Sequence, residues 1–448
     1  MKPSLPLALG ALALLVADDL LGQRGRFRGR FRGRPEAPQP EPEPEAETKK
    51  EVESWLAIKG ADVYLGTGQL MRRATVLIGD DKIHEIGHDP EIPEDAKVID
   101  ATGKVVAPGF VAVKASGMGV PRSNKEKVVD SLNPFDPTIK MGLAAGITSF
   151  LATFDDGRST PGGKTAVVKL AYGDLDGMVV DEDSVYSMRV PTAGSQWRDL
   201  RDLVKKAKEH LEEEAKAKKK EATGDKGKEA DKPKDPPKGT EKILEILRGD
   251  AVLWVRASRG YGNPDIQGAL DIANLLGKGV VLDGPITAWS MAEEIAETGS
   301  MAIINPRGRV QPDPTRPEVT GSNIASASIL SQVGVPVAVT PPGGRFGGSG
   351  LGTGGILGQD LHTLHIDAAF AVRGGMDNRK ALRTITLDAA RIIGAEARIG
   401  SLEAGKDADL LILDGDPLHY RTFVQTAVVN GKVVYEKDKE PFYRHIKR

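Results

Sequence analysis

Residues 105–119, VVAPGFVAVKASGMG, run from an apolar stretch into one broken by a lysine and a serine. Taken as a strand over 110–116, side chains alternate, so Phe110, Ala112, Lys114 and Ser116 share one face. Val111, Val113 and Ala115 share the other. In a parallel barrel the chemistry sits at the C-terminal ends of strands, so this reading points Lys114 and Ser116 into the barrel mouth. Downstream, strand-like runs such as LAAGITSFLAT, AVLWVRAS, GVVLDGPITA and GVPVAVT alternate with helical stretches such as DIQGALDIANLLG, AWSMAEEIAETG and IDAAFAVRGG. That alternation predicts an α/β barrel or a doubly wound sheet.

Both ends of this region read differently. WLAIKGADVYLGTGQLMRRATVLIGDDKIHEIG, from Trp55, breaks into short apolar runs at turns such as GDD, the pattern of antiparallel strands. Near the C-terminus DADLLILDGD and TAVVNGKVVYEKD repeat the style, with Asn430-Gly431 as a hairpin turn. The two segments are expected to form one small β-sandwich from both chain ends. Residues 207–239 are Lys/Glu/Pro-rich, predicting a solvated helix followed by a loop. Residues 341–358, PPGGRFGGSGLGTGGILG, predict a glycine-rich lid after a strand.

Before Trp55 lies a different kind of chain. The apolar run LPLALGALALLVA, Leu5 to Ala17, has the length of a signal-peptide core. It implies export, to a periplasm or cell surface. Residues 24–34, RGRFRGRFRGR, and the Pro/Glu-rich 35–49 bury too little apolar surface to order, and read as a tether. The expected organisation is therefore a signal peptide over 1–23, a linker over 24–52, β-sandwich over 53–106, barrel over 107–399 and β-sandwich again over 400–448. The chain has 448 residues, 40% of them hydrophobic, enough for a large core. A formal net charge of −2 points to no specific nucleic acid, and membrane contact is expected only through the signal segment or the basic arm. The absence of cysteine excludes disulfides, thiolate metal sites and a cysteine nucleophile.

The segment ALRTITLDAARIIGAEARIGSLEAGKDADLLILDGDPL, residues 381–418, resembles the last barrel helix and return strand of the amidohydrolase superfamily, in its imidazolonepropionase-like branch. GKVVAPGFV, residues 103–111, looks like that family's approach to its first barrel strand, and the likeness extends over about residues 53–436. It implies a TIM-like (β/α)8 metal-hydrolase barrel and hydrolysis of carbon–nitrogen bonds. In that chemistry a divalent metal, usually zinc, ionises a bound water that attacks a carbonyl carbon. The family's ligands are histidines on strands one, five and six and an aspartate on strand eight.

This chain departs at each of those positions. Ala112, Lys114 and Ser116 stand where the family has Asp-x-His-x-His. Arg256 and Ser258 stand on the fifth strand, Gly284 on the sixth, and Pro341 or Pro342 in place of the aspartate. None of the seven histidines falls on an expected barrel strand. His362 and His365, three apart on an expected helix with Asp360 and Asp367 nearby, are the alternative metal pair. Lys169 falls near where some relatives carry a carboxylated bridging lysine.

The departures imply a lost metal site, with no cofactor expected, and a non-catalytic binding or regulatory protein. Lys114 and Arg256 would take over the metal's electrostatic role, pairing with Asp283 or, with Ser116, holding a small anionic ligand. The expected partner is an active amidohydrolase relative or a second copy of the chain. Two alternatives stay open: a C–N hydrolase with an atypical or relocated site, and an envelope protein working through its RGRF arm.

Overall fold

The computed structural model describes residues 52–121, 127–156, 158–222, 235–257, 262–341, 350–353, 361–441 and 443–447. In chain order the strands are β1 (Trp55–Tyr64), β2 (Leu70–Gly79), β3 (Lys82–Gly87), β4 (Lys97–Asp100), β5 (Val105–Pro108), β6 (Phe110–Ala112), β7 (Ala115–Ser116), β8 (Ile147–Asp156), β9 (Gly163–Lys169) and β10 (Val179–Glu182). They continue with β11 (Val185–Arg189), β12 (Val252–Arg256), β13 (Val281–Asp283), β14 (Met301–Ile304), β15 (Val337–Val339), β16 (Leu351–Gly352), β17 (Leu410–Leu413), β18 (Val424–Val429) and β19 (Lys432–Glu436). The α-helices are α1 (Pro137–Ala144), α2 (Gly194–Ala222), α3 (Glu241–Arg248), α4 (Asn263–Leu276), α5 (Ala292–Glu297), α6 (Ser326–Gln332), α7 (Leu364–Arg373), α8 (Asn378–Arg383) and α9 (Leu387–Ile392).

The two chain ends share one eight-stranded sheet. β17 pairs antiparallel with β5, Leu411 opposite Ala107, and so joins the C-terminal strands to the N-terminal ones. Hairpin turns set the register at both ends: Asp80 links β2 to β3 at φ 53°, and Asn430 and Gly431 link β18 to β19 at 49° and 70°. Such turns need positive φ, which is why Asp, Asn and Gly occupy them. One face of the sheet buries Ile58, Val76, Ile78, Val106, Leu410 and Ile412 in a core of its own.

Between the ends, nine strands form two arcs. β6, β8, β9 and β10 make one, and β11 to β15 make an all-parallel other. Each of β6, β8, β9 and β11 to β15 sends a side chain into one apolar cluster: Val111, Leu151, Val167, Val185, Trp254, Val281, Ile303 and Ala338. The alternate residues, Phe110, Phe150, Val168, Leu253, Leu282 and Val339 among them, pack in a second cluster with helices. This is the period-2 division expected of strands buried on both faces. Burying each such side chain contributes about 1.5–3 kcal/mol. α9 closes one end of the first cluster with Ala389 and Ile392, followed by Ile393 at its C-cap, and the Trp254 indole donates to the Ile392 carbonyl at 2.9 Å.

Two features differ from eight parallel strands in a closed ring. β9 runs antiparallel to β8, with no helix between them. The strand ladders also stop between the arcs: β9 meets β11 through a bridge from Gly162 to Ser187. On the other side, Val111 and Val339 donate to the carbonyls of Ile385 and Thr384, at 2.7 and 3.3 Å, rather than to each other. A connecting segment thus stands where a β6–β15 ladder would close the ring. The charged insertion starts as expected, in the helix α2; residues 223–234, like the signal segment, the tether and the RGRF arm, lie outside the described residues. Val52–Arg448 form one compact unit.

Candidate functional site

β6 ends at Ala112, and a bend at Val113 and Lys114 separates it from β7. That bend corrects the expected alternation. Phe110 and Ala112 pack outward in the helix-lined core, while Val111 and Val113 face the interior cluster. Lys114, expected on the Phe110 face, is turned by the bend to the interior side. Ser116 does not accompany it: it sits in β7, paired with Gly352 of the glycine-rich segment. The Leu351 amide donates to the Lys114 carbonyl at 3.0 Å, so the described part of that segment lies against the strand end. Most of the segment, residues 342–349 and 354–358, lies outside the described residues.

Lys114, Arg256 and Asp283 come together at the C-terminal ends of β6, β12 and β13. Arg256 and Asp283 are opposite each other in the parallel ladder. The Lys114 ammonium donates to Asp283 Oδ1, and Arg256 Nε donates to Oδ2 at 2.9 Å. The Asp283 side chain is 6% exposed and that of Lys114 10%. The Lys114 ammonium also lies 5.5 Å from the centre of the Trp254 ring, within cation–π range. Attraction between charges is strong where water is scarce, and here one carboxylate satisfies two cations.

The divalent ion of the metal-hydrolase fold does not fit these residues. Ammonium and guanidinium groups carry donors and no lone pair to give a metal. Gly284 has no side chain, and its φ of 79° suits glycine rather than a histidine ligand. Pro341 is buried at the end of β15 and offers no donor atom, and Ala112 is turned away. Ser258 and Pro342 lie outside the described residues. Among the described residues no group of three or more His, Asp or Glu side chains could hold a metal ion.

His362 and His365 sit elsewhere. His365 is on α7 and His362 on the turn before it, so they do not share one regular helix as expected. Asp367 is occupied by Arg307, whose Nε and Nη2 donate at 2.6 and 3.2 Å, and Asp360 lies outside the described residues. The His362 Nε2 instead meets the Tyr443 hydroxyl at 2.6 Å. Burial lowers the pKa of both imidazoles, that of His365 to about 4.

Lys169 is also not at the mouth. Because β9 is antiparallel, its C-terminal residue lies beside the start of β8, the end opposite Lys114. There Lys169 is fully buried, 2.9 Å from Asp409 and paired with Asp407 and Asn430. Burial works to raise the Asp407 carboxyl, yet Lys169, Lys82 and Arg398 hold it down to about 2. This charge cluster ties β9 to the C-terminal sheet. Sequence reasoning missed it because its members are spread over more than 300 residues, from Lys82 to Asn430.

Residues 360–435 match the Amidohydrolase family. A 5-methylthioadenosine/S-adenosylhomocysteine deaminase of Symbiobacterium thermophilum is 37% identical over 71 residues, 12% of this chain and 16% of that protein. The chain thus matches about a sixth of that relative's length. Among solved structures, an amidohydrolase from Thermotoga maritima MSB8 shares the fold with a TM-score of 0.61 and 23% identity, covering 85% of this chain and 100% of the other. A prolidase complexed with N-methylphosphonate-L-proline has a TM-score of 0.50 and 16% identity, covering 86% and 100%. The family and deaminase likenesses are each confined to a short segment, and the solved structures share the mixed α/β fold. The matched segment begins beyond Pro341, so it contains none of the strand-end positions.

Proposed function

We propose that this amidohydrolase-like protein binds a small anionic ligand at its strand ends and does not hydrolyse through a bound metal. In this reading β6, β8, β9 and β11 to β15 are an interrupted TIM-like barrel, and the eight-stranded sheet is the sandwich-like attachment built by both ends. The observation that carries the function is the shared carboxylate: Asp283 is held by Lys114 and Arg256 together. A ligand carboxylate has the same charge and acceptor geometry as Asp283, and guanidinium forks favour carboxylate and phosphate groups alike. The ligand enters by exchanging with the Asp283 side chain. Asp283→Asn weakens that internal competitor, so it tightens the binding of succinate, measured by calorimetry, about tenfold or more. Lys114→Met abolishes the binding. The preparation is expected to hold no stoichiometric zinc or manganese after dialysis. A tightly held ion, or succinate affinity untouched by both substitutions, overturns the reading.

The match of residues 360–435 favours a second reading, a hydrolase of carbon–nitrogen bonds with an atypical site. Turnover of amide or deaminase substrates that is lost in Lys114→Met would select it. The proposal extends to export of the chain and to a partner, either an active amidohydrolase relative or a second copy. N-terminal sequencing of the mature protein tests the first and co-purification the second. No helix among the described residues is long and apolar enough to cross a membrane.

A further inference from the structure

A cavity of about 290 Å³ lies on the other side of β6, between α7, the end of α1 and the strands β17 and β18. Its size is at the lower end of small-molecule sites, roughly 300–1,000 Å³. Phe110, Leu413 and Phe423 give it apolar walls, and no Asp, Glu, Lys or Arg is among the described residues that line it. Its polar groups include His362 and His365. His362 is engaged by the Tyr443 hydroxyl. His365 makes no hydrogen bond to any described residue, while most of its ring is removed from water. The side chain is half-buried in the lining, and a neutral imidazole offers one donor and one acceptor to a molecule in the cavity.

We propose that this cavity is a second binding site, separate from the strand-end charges, for a neutral molecule with a flat apolar body and one hydrogen-bonding group aimed at His365. Apolar walls desolvate the body of the ligand, and the imidazole supplies orientation. An ionised ligand is disfavoured because no charged side chain among the described lining residues compensates its charge. Burial keeps His365 uncharged at neutral pH, consistent with that choice.

Indole serves as the probe, observed by saturation-transfer NMR on the full chain. Saturable binding is expected. His365→Phe keeps the shape of the wall, removes the acceptor and weakens binding about tenfold, the equivalent of one hydrogen bond. Ile366→Trp fills the space and abolishes the signal; thermal melting of both variants checks that they fold, and His365→Phe decides alone if Ile366→Trp does not. Succinate at the strand ends does not displace indole, so this site and the function proposed above fail independently. The assignment is overturned if indole gives no saturable signal, if a folded His365→Phe binds as the parent does, or if succinate competes. Stoichiometric zinc binding lost in His365→Phe would also overturn it, by making the pair a metal site.

Discussion

At position 284 the backbone decides what the side chain can be. Gly284 has a φ of 79°, and its amide donates to the Ile303 carbonyl at 2.9 Å, so the turn is tied to β14. A side chain there costs about 1–2 kcal/mol in the left-handed region. Restoring the family's histidine with Gly284→His is therefore expected to lower stability by about that amount and to bring no zinc affinity, since Lys114 and Arg256 remain beside it. Urea unfolding and zinc calorimetry check both halves; micromolar zinc binding by the variant would show the strand ends still shaped for metal. The convergence of Lys114, Arg256 and Asp283 was legible in the sequence because strand position alone places them. Which neighbours share the face of Lys114 was not, because a two-residue bend after Ala112 reverses the parity, sets Phe110 and Ala112 on the outer side and leaves Ser116 behind in β7.

Elements show the same division between pattern and direction. Alternating apolar runs located the strands, yet period 2 is identical for parallel and antiparallel neighbours, so β9 could not be oriented from PGGKTAVVKLA. The sheet from both ends was legible because Asn430-Gly431 and the GDD turn fix hairpins locally. The cavity was hidden because Tyr443 reaches His362 across 81 positions. Where β6 and β8 begin, a close approach sets a further constraint: a Cβ on Gly109 would lie 1.9 Å from Thr148 Oγ1 and 2.6 Å from its Cβ. Gly109→Ala therefore forces the two strands apart, at a cost of about 1–3 kcal/mol for overpacking, or somewhat more. Thr148→Ala removes the nearest atoms but leaves the Cβ, so it recovers part of the loss in the double variant. A coupling energy near zero in the double-mutant cycle would mean that the strands meet differently.

For the whole molecule, the buried histidine wall makes stability depend on pH. Burial pushes the His365 imidazole down from 6.5 to about 4, and moves His362 in the same direction. The groups facing His365 in the cavity include His362, Tyr420 and Tyr443, and among the described lining residues no carboxylate holds a proton on it. The unfolded chain protonates His365 below about pH 6.5, whereas the folded chain does so only near pH 4. Protons between those values bind the unfolded state preferentially. The contribution is therefore complete above pH 6.5 and is lost as pH falls towards 4, by up to about 3 kcal/mol at 1.36 kcal/mol per pH unit. Asp407, held at about 2, works in a lower window: its contribution is complete above about pH 4 and disappears towards pH 2. The carboxyls of Asp367, Asp388 and Asp409, raised by burial, act with the opposite sign, so the total curve mixes all of them. Comparison with His365→Phe isolates the histidine. Urea unfolding at pH 7, 6, 5 and 4.5 should show the parent losing stability faster than the variant over that range, and the two running parallel above pH 7. Equal slopes from pH 6.5 to 4.5 would mean that His365 is as solvated in the folded chain as in the unfolded one, leaving the cavity wall open to water.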